Sequence, residues 1–277
     1  MIEVSKKTRL DTLLVDRELI ETREKAKRSI MAGLVYSGQA RLDKPGMKVD
    51  DDIPLTVKGK LFPYVGRGGL KLEKAIKHFS IDMSGKTVVD IGSSTGGFTD
   101  CALQNGATMS YAIDVGYNQL DWKLRNDARV EVMERTNFRY VTVDMFNRGL
   151  PDFASIDVSF ISLKLILPVL ATIIKAGGQV VALIKPQFEA GREQVGRKGI
   201  VRDAAVHQQV LHDVLSFALM QGFTFKGLTF SPITGGDGNI EFLAYLQWNG
   251  EKEGISVDDV EIDLVVEEAH QTHHKRA

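Results

Sequence analysis

Cysteine is nearly missing from this chain. Cys101 is the only one among 277 residues, so no disulfide forms within the chain and cysteine-rich zinc sites are excluded. A reducing cytoplasm is the expected compartment. Long apolar runs are missing too: no stretch approaches the ~18 residues of a membrane-crossing helix. The opening from Met1 to Arg9 is polar and basic with no apolar run behind it, unlike a secretory signal. Net charge is small, -1 from 35 basic and 36 acidic residues, but unevenly spread. Residues 1–77 carry a net +6, residues 78–249 a net -2 and residues 250–277 a net -5. A basic front end has the electrostatic character of a polyanion-binding module. What the chain has in quantity is apolar side chain, 43% of its residues. That is enough for a sizeable core in a large domain with a smaller one beside it.

The small unit is read over residues 1–58. Leu10, Leu13 and Leu14 share one helical face. Thr22 then caps a second helix from Arg23 that closes at Gly33. Short strands follow around Leu34–Tyr36 and Val49–Val57, giving a compact α+β module. Residues 59–68, with their glycines, proline and cations, read as a flexible or ligand-contacting linker. A main domain follows over residues 69–250. It opens on an amphipathic helix from about Leu70 to Phe79 and then alternates strand and helix from Thr87 onward. Helices are expected near Gln119–Arg125, over Leu163–Ala176 and over Ala204–Gln221. The alternation implies a mostly parallel sheet covered on both faces, an α/β fold. No helix separates the strands Phe225–Phe230 and Ile240–Trp248, so one of them runs antiparallel. Residues 251–277 form an acidic tail, either a closing helix or a loose end.

Asp90 ends the first strand of the main domain, and Gly92, Gly96 and Gly97 follow within Val88–Thr99. Glycines let the backbone approach a ligand, and the next helix aims its N-terminus at the same place. Asp114 ends the second strand, where a carboxylate can accept hydrogen bonds from two ribose hydroxyls. Ser93, Ser94 and Thr95 separate the glycines, which departs from Gly-x-Gly-x-x-Gly and weakens a nicotinamide reading. A nucleoside cofactor without a pyrophosphate fits better.

Four polar residues fall at corresponding points of the sheet. Asp157 and Lys185 end successive strands and face one crevice beyond the carboxyl ends. Glu241 begins the final strand, at the same edge if that strand is antiparallel, and Lys71 lies on the entering helix. A glutamate in so apolar a strand needs a partner, because unpaired burial is costly. Two lysines and two carboxylates beside a nucleoside loop can position a hydroxyl and remove its proton. A lysine serves as base when burial or a second cation lowers its pKa. The chemistry that fits is methyl transfer to a ribose oxygen.

With these motifs, residues 86–249 resemble the FtsJ-type class I methyltransferases, and residues 8–58 resemble the S4-type RNA-binding domain. The pairing, in this order and length, is similar to the TlyA family of haemolysin-like ribosomal RNA methyltransferases. Val65–Leu72, Asp90–Thr99, Asp157–Ser162 and Ile184–Glu189 carry the likeness most strongly. The resemblance implies a seven-stranded Rossmann-like domain that uses S-adenosyl-L-methionine, with a catalytic tetrad of Lys71, Asp157, Lys185 and Glu241. It places cofactor contacts on Asp90, Gly92, Ser93, Thr95, Gly96, Gly97, Phe98, Thr99 and Asp114. It also implies a cytidine 2'-hydroxyl in ribosomal RNA, on a ribosomal subunit, as substrate, with no metal required.

In the small unit Arg9, Arg23, Lys27, Arg28, Arg41, Lys44 and Lys48 are candidates for phosphate contacts, which give salt-sensitive affinity rather than base selectivity. Tyr36, Phe62 and Tyr64 are candidates for base stacking. The stretch from Gly191 to Arg202, with Arg192, Arg197, Lys198 and Arg202, is a candidate flap over substrate RNA. Rival readings are a non-catalytic RNA-binding or ribosome-assembly factor, a membrane-active haemolysin, and, more weakly, a nicotinamide oxidoreductase. No spanning segment or long amphipathic membrane helix supports the haemolysin.

Overall fold

The computed structural model describes residues 7–31, 33–58, 63–196, 198–235, 238–249 and 259–274. It divides into two compact units, Met1–Pro63 and Tyr64–Ala277.

The first unit comprises β1 (Lys7–Arg9), α1 (Leu10–Asp16), α2 (Arg23–Met31), β2 (Val35–Ser37), β3 (Ala40–Arg41), β4 (Lys48–Asp50) and β5 (Thr56–Val57). β1 pairs antiparallel with β4, and β2 lies between β3 and β5. The Leu10, Leu13 and Leu14 face of α1 meets Ala26 and Ile30 of α2, and Val35, Leu42 and Val49 complete the core. Thr22 caps α2 through its hydroxyl, which accepts from the Lys25 amide at 3.2 Å. Gly33 ends the helical run at φ +70°, and a Cβ there would strike the Arg41 guanidinium. The positive φ is what favours glycine, since the Arg41 side chain can swing aside.

The second unit comprises α3 (Gly69–His78), β6 (Thr87–Ile91), α4 (Gly97–Gln104), β7 (Met109–Ile113), α5 (Trp122–Arg125), β8 (Val130–Met133), β9 (Phe153–Ile156), α6 (Leu167–Ile173), β10 (Gln179–Ile184), α7 (Pro186–Glu189), α8 (Ala204–Met220), β11 (Phe223–Phe230), β12 (Phe242–Trp248) and α9 (Asp259–His274). The seven strands run in the order β11-β12-β10-β9-β6-β7-β8. The sheet is parallel from β10 to β8, while β12 is antiparallel to both of its neighbours. Alternate residues feed opposite cores. Val89 and Ile91 of β6 join Val180, Ala182 and Ile184 of β10 on the face covered by α6, α8 and α9. Val88, Val181 and Leu183 face α3 and α4. Both faces are thus buried, as a mostly parallel sheet requires.

Three sequence expectations change, and one left open is decided. α5 begins at Trp122 rather than Gln119, because the Asn118, Gln119 and Leu120 amides donate to the Glu134 carboxylate and Asp121 then caps the helix. Leu163–Ala176 is no continuous helix: a single turn at Leu163–Leu165 is followed by α6, whose first turn holds Pro168. Proline lacks the amide that would join the two pieces. Residues 64–68 of the expected linker pack within the second unit: Tyr64 is buried, and the Val65 amide donates to Asp100 at 2.8 Å. Residues 59–62 and Arg197 lie outside the described residues. The acidic tail contains α9, which buries Ile262, Val266 and Ala269 in the main core. That spacing is one helical face, masked in the sequence by the surrounding acids.

Candidate active site

The C-terminal edge of the sheet gathers the tetrad. β9 and β10 are adjacent and parallel, so Asp157 and Lys185, each the first residue beyond its strand, leave the sheet side by side. β12 is antiparallel to β10 with Phe242 opposite Ile184, which brings Glu241, just before β12, to the same edge. Lys71 comes from the first turn of α3. The Lys185 ammonium lies 2.5 Å from Asp157 Oδ1, and the Lys71 ammonium lies 2.6 Å from Glu241 Oε2 and 3.8 Å from Asp157 Oδ2. Asp157 therefore bridges the two lysines. Lys71, Lys185 and Glu241 are 5%, 7% and 2% exposed. Burial of this degree demands paired charges, and all four groups supply one another.

The glycine loop wraps the base of this cluster. Gly92 has φ +86°, and a Cβ there would sit 2.4 Å from the Asp157 carbonyl oxygen. Glycine at 92 thus lets the loop pass directly under the residue that bridges the lysines. Gly96 has φ +93°, with Leu124 filling the space a Cβ would need. Asp114 leaves the end of β7; its carboxylate accepts from the Ser94 amide at 2.7 Å and the Gly116 amide at 2.7 Å. Each carboxylate oxygen carries two lone pairs, so acceptor capacity remains.

The other expected cofactor residues divide. Ser93 is buried and Thr95 half-buried in the loop itself. Asp90, Phe98 and Thr99 lie beneath it. Asp90 is 0% exposed; it accepts from the Thr99 amide at 3.0 Å, the Thr99 hydroxyl at 2.7 Å and the Ser155 hydroxyl at 3.0 Å. Burial pushes its carboxyl up to about 7. Phe98 packs into the core beside Leu72 and Tyr64. Gly97 admits the segment before α3, since a Cβ there would lie 2.8 Å from the Gly69 amide nitrogen. These groups set the shape of the loop from below.

The structure adds residues that the sequence pass did not single out. Lys185 donates to the Ser159 hydroxyl at 3.0 Å. Phe160 is 89% exposed, has φ +63° and packs its ring 4.9 Å from that of Phe188. A bulky side chain is thus held in a sparsely populated backbone region, in solvent, three positions from Asp157 of the buried ion network. Asn239 is buried: its carboxamide accepts from the Val201 amide at 3.0 Å and donates to the Gly199 carbonyl at 2.9 Å. It ties the segment beyond Lys185 to the start of β12. Proximity in sequence hinted only at Ser159 and Phe160, two and three positions after Asp157.

In the first unit the expected phosphate-binding cations also divide. Arg9 and Arg23 both reach the buried Asp11 carboxylate, at 3.0 and 3.1 Å, with their guanidiniums about half exposed. Lys27 pairs with Glu24 at 2.7 Å. Arg28, Lys44 and Lys48 are exposed, and Arg41 folds over Gly33. Among the described residues no group of acidic, histidine and cysteine side chains is arranged to hold a metal, and no helix is long and apolar enough to cross a membrane.

Comparison with known proteins shows the family of each part of the chain. Residues 64–248 match the model of the FtsJ-like methyltransferase family, and residues 8–52 match the S4 domain. The chain is 66% identical over 269 residues to "Putative rRNA methyltransferase YqxC" of Bacillus subtilis, covering 97% of this chain and 96% of that protein. It is 39% identical over 250 residues to "16S/23S rRNA (cytidine-2'-O)-methyltransferase TlyA" of Mycobacterium tuberculosis, covering 88% and 91%. A solved structure, "Putative hemolysin from Streptococcus thermophilus", superposes with a TM-score of 0.79 at 55% identity over 99% of both chains.

Proposed function

The chain belongs to the FtsJ-like methyltransferase family, and on that premise we propose that it methylates a ribose 2'-hydroxyl, a cytidine's, in ribosomal RNA. The observation that carries this reading is the meeting of Lys71, Asp157, Lys185 and Glu241 directly over the glycine loop. The loop fits S-adenosyl-L-methionine. Its backbone at 92 and 96 has no room for a side chain, and Asp114 stands at the strand end with acceptor capacity for ribose hydroxyls. When bound, that cofactor supplies a methyl group already activated on a sulfonium.

The protein's own residues then have three tasks. Lys185, held by Asp157 and Ser159, acts as the neutral amine once its ammonium proton has passed to solvent, and takes the proton from the 2'-hydroxyl as the oxygen–carbon bond forms and the methyl–sulfur bond breaks. Lys71, fixed between Glu241 and Asp157, holds the cluster's charge balance and keeps the bridging carboxylate in place. Phe160, exposed and packed against Phe188, offers an aromatic face on which an unstacked base can rest. In the small unit, Arg9 and Arg23 are oriented by Asp11 for RNA phosphates. A ribosomal RNA substrate places the protein in the cytoplasm.

Mass spectrometry of nuclease-digested ribosomal RNA from cells with and without the protein tests the reading. A 2'-O-methylcytidine present only with the protein is expected. An identical set of ribose methylations in both, or failure to bind S-adenosyl-L-methionine by calorimetry, would defeat it.

A further inference from the structure

The second unit has a cationic hollow that continues the line of the tetrad. α3 brings Lys71 to the active site, and Lys74, Lys77 and His78 follow along the same helix. Residues three and four apart lie on one helical face, so Lys74 sits about one turn beyond Lys71. Lys74, Lys77, His78 and Glu73 form one wall of a pocket of about 600 Å³, and Pro232 and Ile233 form the other. The second wall follows β11, the edge strand beside β12. Two residues beyond Ile233, Gly235 lies against the Glu241 carboxylate, close enough that a Cβ would meet Oε1 at 2.6 Å. Each wall therefore leads from the hollow to a tetrad member: α3 to Lys71 and the loop to Glu241.

The chemistry of the hollow calls for an anion. Lys74 is half-buried, with its ammonium 3.4 Å from the centre of the Phe230 ring. It forms no ion pair among the described residues. Burial pushes it down to about 8, against the opposing pull of Glu268 on α9. The other charged groups facing it are Glu73, Lys77 and His78 of its own helix. Lys77 pairs with Glu73 at 2.9 Å, but its side chain is largely exposed, and such surface pairs exchange readily. Lys77 can therefore turn to a stronger anion, and an anion beside Lys74 supplies the partner it lacks. Pro232 and Ile233 give the opposite wall an apolar surface suited to the carbon face of a sugar.

We propose that this hollow is a phosphate subsite for the RNA strand bearing the target ribose, gripping a neighbouring phosphodiester through Lys74 and Lys77. The inference rests on the ribose-methylation reading. It adds a contact that positions the strand without reading its bases.

Binding of a short single-stranded, cytidine-containing RNA should be followed by fluorescence anisotropy between about 50 and about 200 mM salt. Lys74→Gln and Lys77→Gln should each weaken binding several-fold and reduce the log–log salt slope by about 0.7, the share of one single-strand phosphate. The affinity for S-adenosyl-L-methionine should stay unchanged, which also confirms folding. Raising the pH from about 7 to about 9 should flatten the slope of the wild type more than that of Lys74→Gln, because only the former has the Lys74 amine to neutralise. Wild-type slope and affinity in both variants would overturn the subsite while leaving the methyltransferase reading intact. Saturation of Lys74 by inorganic phosphate, with no change of RNA slope in the variant, would assign the hollow to a free anion and likewise overturn it. No RNA binding by the wild type would defeat both.

Discussion

The two units use the same device, a carboxylate holding two cations, to opposite ends. In the first, buried Asp11 orients Arg9 and Arg23 but leaves their guanidiniums about half in solvent. In the second, Asp157 bridges Lys71 and Lys185, and the lysines themselves are buried. Guanidiniums stay charged and present fixed forks to an external anion. Lysines sealed among acids can hold or release a proton next to a reacting atom. The difference is one of burial and base type, not of topology, and under the proposed function it separates a binding device from a chemical one.

Replacing Lys185 breaks the comparison most severely. Lys185→Ala should lower methyl transfer by about 10²–10⁴-fold while leaving S-adenosyl-L-methionine affinity nearly unchanged. Radiolabel transfer to unmodified ribosomal RNA, with calorimetry alongside, checks both; full activity would remove the assigned role. Gly92→Ala is the next test. A methyl group 2.4 Å from the Asp157 carbonyl, at φ +86°, must push the loop and the bridging residue apart. A loss of about 1–3 kcal/mol in stability is expected, together with weakened cofactor binding. Denaturant melts and calorimetry measure these, and a wild-type profile would show that the loop tolerates displacement.

The pH dependence sharpens the contrast further, because two buried groups of the second unit oppose each other. His207 is fully buried; its Nδ1 lies 2.9 Å from His270 Nε2, and its Nε2 lies 3.2 Å from the Val201 carbonyl oxygen. Burial pushes it down to about 4. The unfolded chain therefore binds more protons between about 6.5 and about 4, and stability falls as pH falls through that window. Asp90, raised to about 7 by burial, does the reverse: the folded state holds the extra proton, and stability falls as pH rises from about 4 to about 7. Each slope integrates to something on the order of a few kcal/mol, so their sum is shallow in the wild type. His207→Gln should expose the Asp90 slope and Asp90→Asn the His207 slope, in thermal melts across that range. Parallel slopes in the two variants would contradict these signs.

The smallest effect is expected in the first unit. Asp11→Asn should lower RNA affinity by about 3–10-fold, through loss of charge-assisted orientation worth about 1 kcal/mol. The salt slope should hardly change, since both arginines keep their charge. The Arg9 guanidinium holds the Asp11 carboxyl down to about 2. Its stabilisation is thus complete above about 4 and lost only as pH falls through about 2.

Much of the molecule was legible in the chain. The leucine face of α1, the alternating βα pattern and the glycine loop each have a local cause, a periodicity or a required dihedral. Three members of the tetrad were legible at strand ends, Asp157 and Lys185 after parallel strands and Glu241 before an antiparallel one, while Lys71 had to be placed from the entering helix. The helix starts were less legible. The amides of 118–120 are claimed by Glu134 from 14 to 16 positions away, and no local pattern announces such a contact. Asn239 and the hollow beside Lys74 were invisible for the same reason: each gains its meaning from a neighbour distant in sequence.

The sequence by itself determined the inventory: which residues can carry protons, where the backbone must turn, and which faces must be buried, because these follow from side-chain chemistry and local geometry. Only the tertiary structure decided which acid meets which amine. Pairing depends on strand order, on the reversed direction of β12 and on the absence of a side chain at Gly92, and these bring Lys71 within hydrogen-bonding distance of Glu241 across 170 positions of chain.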